Sequence, residues 1–338
     1  MTITPLLDTL RLQKIDDEEY FSEKYSNYIS NSRLGLINPD QDGSPERFFA
    51  GFKPMYSAAF DLGTGVHCCT LQSDLFTICE EVDKPTAKVG ALADRLYSTY
   101  KTREITTEDI IKEATIIDYY GGNLNSAKIK AVLEKCEPYW RDRKQFEEHY
   151  KEDKTLLYFD PKSRHTVQSC VKALASNKKI QDLLHPTGLI EDPISDTEQA
   201  ILLDVQVESD KGNFKLRLKS KLDHFSIDRD TNTVTVNDVK TIGKIVSEMS
   251  SNIEKFHYNR ELAMYSWLLS LCAEKYYGLE KPTVKGNYLV VSTIPAYYTK
   301  VIPMTKGMFK EGWNEFRRLL RLVAECVAND NPEFGIWN

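Results

Sequence analysis

The stretch from residue 214 to residue 241 constrains the fold more than any other part of the chain, because it predicts a β-hairpin. Residues 214–219 alternate strictly between apolar and basic side chains, as a half-buried strand does. The run DRDTN at 228–232 is rich in turn-forming residues. Residues 233–239 alternate again and are rich in β-branched side chains, so they predict the returning strand.

Three charged residues of this hairpin form a candidate metal site. Asp223 lies on the outgoing strand, and Asp238 and Lys240 share one face of the returning strand because they are two positions apart. Two converging carboxylates repel each other unless a cation lies between them, and Mg²⁺ prefers such oxygen ligands. A lysine beside the ion can orient a water and stabilise charge on a phosphate. A surface hairpin with scattered charges fits the same pattern.

Further motifs occur in a set order along the chain. They are LGTGVHCCTLQSDLF at 62–76, KSRHTVQSCVKAL at 162–174, Glu198 at a strand start, KLD at 221–223, DVKT at 238–241 and Tyr265 at the end of a Q-x-x-x-Y-like helix. In this order the sequence resembles the phage-type exonucleases of the RecE/exonuclease VIII group, within the PD-(D/E)XK nuclease superfamily. The resemblance implies an α/β fold of the restriction-endonuclease-like kind, a PD-(D/E)XK core with a mixed β-sheet flanked by helices.

The resemblance also implies an active site. Lys240 would position the attacking water beside one or two Mg²⁺ ions, for which Mn²⁺ would substitute. The implied metal ligands are Glu198, Asp223, Asp238, the backbone carbonyl of Val239 and His67. A lone histidine on a helix is more often an ordinary core or surface residue, so His67 depends on the resemblance alone. The implied candidate DNA contacts are Lys219, Lys221, Arg260, Tyr265 and Arg33.

The activity implied by the resemblance is hydrolysis of double-stranded DNA ends, 5′ to 3′, during phage-type recombination. A single-strand annealing protein would be a partner, and the chain would form a homo-oligomer. Family members usually have Gln where Glu261 stands. This departure keeps open a non-catalytic DNA-binding or scaffold protein on a decayed nuclease fold. A structure-specific endonuclease with the same site is a further alternative.

Composition and charge limit where such a protein would act. The net charge is −6, so attraction to nucleic acid must come from a local cluster of Lys and Arg. The cysteines number seven, an odd count, and include no C-x-x-C pair, and we expect them to be reduced thiols of a cytosolic protein. The N-terminal residues lack the features of a signal peptide, and no apolar run reaches the roughly 20 residues that span a bilayer. We therefore expect a cytoplasmic protein without membrane contact, and the resemblance implies that the cell is bacterial or a phage-infected host.

The chain is expected to have four segments. Residues 1–79 would form the N-terminal part of the nuclease domain with the His motif, 80–158 a helical insertion, 159–330 the nuclease core and 331–338 a tail. Residues 1–20 look like a loosely docked arm, and 250–277 like one long helix. In the insertion, Trp140, Arg141, Arg143 and Lys144 fit contacts to a DNA backbone or an end base, although a mixed-charge helix face is the commoner explanation.

Overall fold

The structure, a computed structural model, describes residues 2–51, 57–188 and 190–330. The described residues fall into two compact units. The first comprises those of Met1–Phe52, Ser176–Val291 and Tyr298–Asn338, and the second those of Lys53–Ala175 and Ser292–Tyr297. The predicted insertion at 80–158 lies within the second unit, and the predicted tail at 331–338 lies outside the described residues.

A mixed β-sheet forms the centre of the first unit. Within the described residues six strands build this sheet, in the order β1-β4-β5-β6-β7-β8. The strands are β1 (Ile3–Lys14), β4 (Ile194–Ser209), β5 (Gly212–Asp228), β6 (Thr233–Ile242), β7 (Thr283–Ser292) and β8 (Thr299–Pro303). The pairs β1–β4, β4–β5, β5–β6 and β7–β8 are antiparallel.

The predicted hairpin is confirmed as β5 and β6. The Asp228 carboxylate closes its turn by accepting hydrogen bonds from the Thr231 backbone N–H and hydroxyl, at 3.1 and 2.7 Å. The register pairs His224 with Asn237 and Asp228 with Thr233. This register decides which side chains of the two strands share a face.

The prediction of a loosely docked arm at residues 1–20 is wrong. Most of this segment forms the edge strand β1, whose Leu10 is completely buried. The register against β4 shifts between Leu6 and Arg11, which interrupts the alternation that would have indicated a strand. Lys275 and Tyr276 donate hydrogen bonds to carbonyls of the irregular stretch and fix it in place.

Helices cover the sheet and complete the core of the first unit. They are α1 (Asp17–Tyr20), α2 (Asn31–Gly35), α3 (Pro45–Ala50), α9 (Lys178–Leu184), α10 (Met249–Lys255), α11 (Tyr258–Tyr277) and α12 (Lys306–Asp330). Apolar residues of α11 and α12, including Leu269 and Phe316, pack against sheet residues such as Leu218. The single long helix predicted at 250–277 is instead broken into α10 and α11, because His257 adopts a left-handed φ of 54°.

The second unit is mostly helical and has its own hydrophobic core. Its helices are α4 (Ala58–Leu71), α5 (Ala87–Tyr100), α6 (Thr107–Ile116), α7 (Ser126–His149) and most of α8 (Pro161–Ser176), and its two short parallel strands are β2 (Phe76–Ile78) and β3 (Thr155–Leu157). Leu96, Ile110 and Cys136 are buried in that core. Among the helices of the described ranges, none is long and apolar enough to cross a membrane.

Candidate active site

Three acidic residues lie in one row across neighbouring strands of the first unit. On β4 and β5 the pairs Thr197–His224 and Gln199–Leu222 enclose Glu198 and Asp223, so these two lie opposite each other. Continuing the β5–β6 register by one position places Asp223 opposite Asp238. Directly opposed residues of antiparallel strands project from the same face. The sheet therefore brings together carboxylates that are widely separated along the chain.

Glu198 stands in a distorted part of β4. Its φ is 56°, a left-handed value that residues with a Cβ rarely adopt in a strand. The side chain is buried, and its Oε2 lies 3.1 Å from the Lys221 ammonium. A carboxylate oxygen of Glu198 lies within 4.8 Å of one of Asp223. Oxygens at that separation can bind one cation together.

The other two acids of the row differ in their hydrogen-bond partners. The Val239 backbone N–H donates a hydrogen bond of 2.8 Å to Oδ2 of Asp223, which links the side chain of β5 to the next strand. Asp238 is buried, with 2% of its surface exposed. In the described part of the chain, Oδ2 of Asp238 accepts no hydrogen bond, although the Lys240 ammonium lies 3.0 Å away.

Lys240 lies between two carboxylates. Its ammonium is 3.0 Å from Asp238 and 3.1 Å from Oε2 of Glu261 on α11. The Tyr265 hydroxyl donates to the other oxygen of Glu261 at 3.3 Å, and the Tyr258 ring lies 4.6 Å below the ammonium. These contacts hold the amine beside the acidic row. Glu261, the departure from the family pattern, thus supplies a second anion to Lys240.

The site carries more negative than positive charge. Burial raises the pKa of Asp238 well above its usual range, and Asp223 and Glu261 add to this while Lys240 opposes it. Burial disfavours the charged form of Lys240, but Asp238, Glu261 and Asp223 outweigh it and raise its pKa well above its ordinary value. One ammonium among three carboxylates leaves a surplus of negative charge. A bound cation or an extra proton would balance that surplus.

The donor set fits Mg²⁺ or Mn²⁺. Glu198 and Asp223 offer carboxylate oxygens within 4.8 Å of each other, and the register places Asp238 opposite Asp223 on the same face. Such hard oxygens are what these ions bind. The buried Oδ2 of Asp238 has a lone pair to offer, since no described group donates a hydrogen bond to it. The Val239 N–H is occupied by Asp223, while the role of the Val239 carbonyl stays a prediction.

A series of hydrogen bonds between buried polar side chains fixes the register of β5, β6 and β7. His224 and Asn237, the paired residues next to Asp223 and Asp238, are joined by a hydrogen bond of 3.1 Å. His224 Nε2 lies 2.9 Å from the Leu184 carbonyl, and Asn287 of β7 donates to Asn237 at 2.9 Å. Burial lowers the pKa of His224 to about 4, so the ring is neutral at physiological pH. A slip of one residue would break these bonds and scatter the acids.

His67 lies on α4 of the second unit and is half-buried. Its predicted part in the metal site stays a prediction.

Two of the predicted DNA contacts are corrected by the structure. Arg260 is 1% exposed and donates hydrogen bonds to Asn31, Gln41 and Glu315. Lys219 is also buried, and its ammonium donates to the Tyr20 carbonyl at 2.7 Å. Both cations are inside the first unit, where a phosphate would have to displace folded structure.

The other three predicted DNA contacts have partners within the first unit. Lys221 forms ion pairs with Glu198 and with Asp17, at 3.1 and 2.6 Å. Arg33 is half-buried and donates to the Ser26 and Phe48 carbonyls, and burial lowers its pKa to about 10. Tyr265 donates to Glu261. Their contact with DNA stays a prediction.

Sequence reasoning missed that Lys221 neutralises Glu198. The signal was present, since alternation places Lys221 on the same face as Asp223, diagonally across from Glu198. It also missed the Tyr258 ring beneath Lys240. That contact depends on the left-handed His257, which turns the chain into α11, and no local pattern indicates it.

Comparison with known proteins gives little further information. No family model matches the chain, and no curated protein matches it. Among solved structures, the chain is similar to the crystal structure of a candidate exonuclease from Eubacterium rectale, with 11% sequence identity and a TM-score of 0.46. The similarity covers 93% of this chain and 88% of the other. A likeness at this level carries no argument about function.

Proposed function

We propose that the chain is a metal-dependent deoxyribonuclease that hydrolyses phosphodiester bonds at the ends of double-stranded DNA. The observation that carries the proposal is the row Glu198, Asp223 and Asp238 with the Lys240 ammonium 3.0 Å from its last member. The spacing of Asp238 and Lys240, two positions apart on a strand, places an acid and an amine on one face.

The roles of the residues follow from their charge and position. Glu198, Asp223 and Asp238 would hold Mg²⁺ or Mn²⁺, and the ion would polarise the phosphate and lower the pKa of a bound water. Lys240 would place its positive charge where negative charge grows on the phosphate. Glu261 and Tyr258 would keep that ammonium protonated and in position.

The finer parts of the proposal concern substrate and setting. The substrate would be a linear duplex degraded 5′ to 3′, which leaves a single strand for an annealing protein in phage-type recombination. The chain would act as a homo-oligomer in the cytoplasm of a bacterial or phage-infected cell. The resemblance of the ordered motifs supports these parts.

The experiment measures release of soluble nucleotides from linear duplex DNA with Mg²⁺, with EDTA, and with closed circular DNA. We expect release from linear DNA with Mg²⁺ only. Lys240→Met should lower the rate by about 10²–10³, the effect of removing one preorganised charge-stabilising donor. Asp238→Asn should abolish it, whereas Glu208→Gln, at an exposed acid of β4, should leave it unchanged.

If closed circular DNA is cut, the activity is that of an endonuclease and not of an exonuclease. If wild type and Asp238→Asn release equally little from every substrate, the chain is no nuclease, and the scaffold alternative takes its place.

A further inference from the structure

A cavity of about 470 Å³ lies within the second unit, between α5 and α7. Its volume is in the range of sites that bind small ligands, about 300–1,000 Å³. Aromatic residues form much of its wall, namely Tyr97, Tyr100 and Trp140. The cavity belongs to the second unit, whereas the acidic row and Lys240 belong to the first.

The polar atoms of two aromatic residues are already bonded inside the protein. The Trp140 indole N–H donates to the Ala93 carbonyl at 2.9 Å. The Tyr100 hydroxyl donates to the buried Glu113 at 3.1 Å. Both rings are therefore fixed in orientation. Tyr100 is 7% exposed and the Arg103 guanidinium lies over its ring, 4.6 Å from the centroid. The half-buried Trp140 is thus the most exposed of the three aromatic residues and the one whose ring can take a flat partner.

The rim of the cavity is basic, although the whole chain is acidic. Four of its lining residues are Lys or Arg and two are Glu. Arg103 is neutralised by a two-fold contact with Asp109, at 2.7 and 2.8 Å. Lys101 and Lys144 are exposed, and in the described part of the chain no acidic group pairs with them. Two uncommitted ammonium groups beside an aromatic wall favour a ligand that is flat and anionic.

Glu147 does not cancel these charges. Its carboxylate pairs with Arg143 at 2.8 Å and accepts hydrogen bonds from Tyr97 and Tyr158, at 3.0 and 3.1 Å. Among the acids of the lining, Glu148 alone therefore opposes Lys101 and Lys144. The rim keeps a net positive charge for an incoming anion.

We propose that this cavity binds one nucleotide of a single-stranded nucleic acid, with the base on Trp140 and the adjoining phosphates at Lys101 and Lys144. The choice of a nucleic-acid strand rests on the proposed function, because an end-degrading nuclease leaves a single strand. Stacking on an aromatic ring accepts any base, and lysine reads phosphate as a point charge. The cavity therefore holds a strand without selecting its sequence.

The test uses the full chain and a fluorescein-labelled hexathymidylate in EDTA, with binding followed by anisotropy. Trp140→Leu should weaken binding about tenfold, within the range of one base–aromatic stack, and Trp140→Phe should restore it. The pair Lys101→Gln with Lys144→Gln should lower the slope of log K against log salt by about 1.4, for two phosphate contacts. The control is the pair Lys135→Gln with Lys151→Gln, because both lysines are exposed in the same unit. This pair should change the slope little.

The lysine pair keeps the proposal testable if Trp140→Leu folds poorly, since both lysines are exposed. Equal binding by wild type and the Lys101/Lys144 variant, or an equal loss in the control pair, would overturn the proposal. Competition by thymidine monophosphate at the same concentration as the hexamer would assign the cavity to a free nucleotide instead. Because the hexamer is titrated in EDTA, where the proposed hydrolysis does not run, a failed nuclease assay and a failed pocket are separate results.

Discussion

Replacing Arg260 by methionine should lower the free energy of unfolding of the first unit. The loss would come from internal contacts of Arg260 and not from a contact with DNA. The guanidinium is almost completely buried and makes four hydrogen bonds, to Asn31, Gln41 and Glu315. Methionine has a similar length and no charge, so the change removes these bonds while largely filling the space.

The expected cost follows from what the substitution leaves behind. Breaking a buried ion pair from one side costs about 3–5 kcal/mol, because the remaining charge stays in a poorly solvated place. Glu315 keeps bonds to His257 and Asn38, at 2.7 and 2.8 Å, so its share lies toward the lower end. The Asn31 Oδ1, also buried, loses a donor at 2.7 Å, which adds about 1–3 kcal/mol. We expect a total loss of about 4 kcal/mol.

The measurement is the free energy of unfolding from urea denaturation monitored by circular dichroism. Arg229→Met is the matched control, because Arg229 pairs with Glu191 at 3.7 Å in the same unit, where both side chains are half exposed or more. An exposed pair contributes about 0–1 kcal/mol, so the control should stay near wild type. If Arg260→Met is as stable as Arg229→Met but loses DNA affinity in a salt-dependent way, our account of Arg260 is refuted.

Three further predictions concern the same unit. Mg²⁺ at ten times its dissociation constant should stabilise the protein by about 1.4 kcal/mol in thermal unfolding, and Asp223→Asn should abolish this gain; an equal gain in both contradicts the metal site. Burial lowers the pKa of Lys219 to about 8, so below pH 8 its charge opposes folding and the opposition fades as the pH rises toward 10.5. Lys219→Met should accordingly gain stability relative to wild type at pH 7 and lose that advantage by pH 10; a difference independent of pH would be inconsistent with this. Lys221→Met removes the cation 3.1 Å from Glu198 and should destabilise the protein by about 1–3 kcal/mol, partly recovered with Mg²⁺, whereas Asp17→Asn on the exposed partner should cost under about 1 kcal/mol in urea denaturation.

The parts of the fold that local patterns encode could be predicted. The alternation at 214–219, the turn at 228–232 and the alternation at 233–239 predicted β5 and β6. The two-residue spacing of Asp238 and Lys240 predicted that both lie on one face, and their side chains are in contact. Such features depend on residues close in sequence, whose geometry a strand fixes.

The parts of the fold that depend on partners remote in the sequence could not be predicted. β1 pairs with β4, about two hundred positions later, and its register shift hides the strand pattern. Arg260 looks like an exposed cation in a helical sequence, since charged residues are seldom buried. Its partners Asn31 and Glu315 come from distant segments that only the folded chain brings together. The burial of Lys219 could not be predicted for the same reason, since its ammonium donates to the carbonyl of the distant Tyr20.

The left-handed backbone of Glu198 predicts which residues a selection for thermal stability would favour at this position. Glycine and asparagine adopt a φ of 56° at lower cost than glutamate, which bears a strain of order 1–3 kcal/mol there. A library randomised at this position and selected for thermal survival alone should therefore drift toward Gly and Asn. A parallel selection for nuclease activity would instead retain the glutamate, because Glu198 is a proposed metal ligand, so the two outcomes together separate what the backbone favours at this position from what the reaction requires.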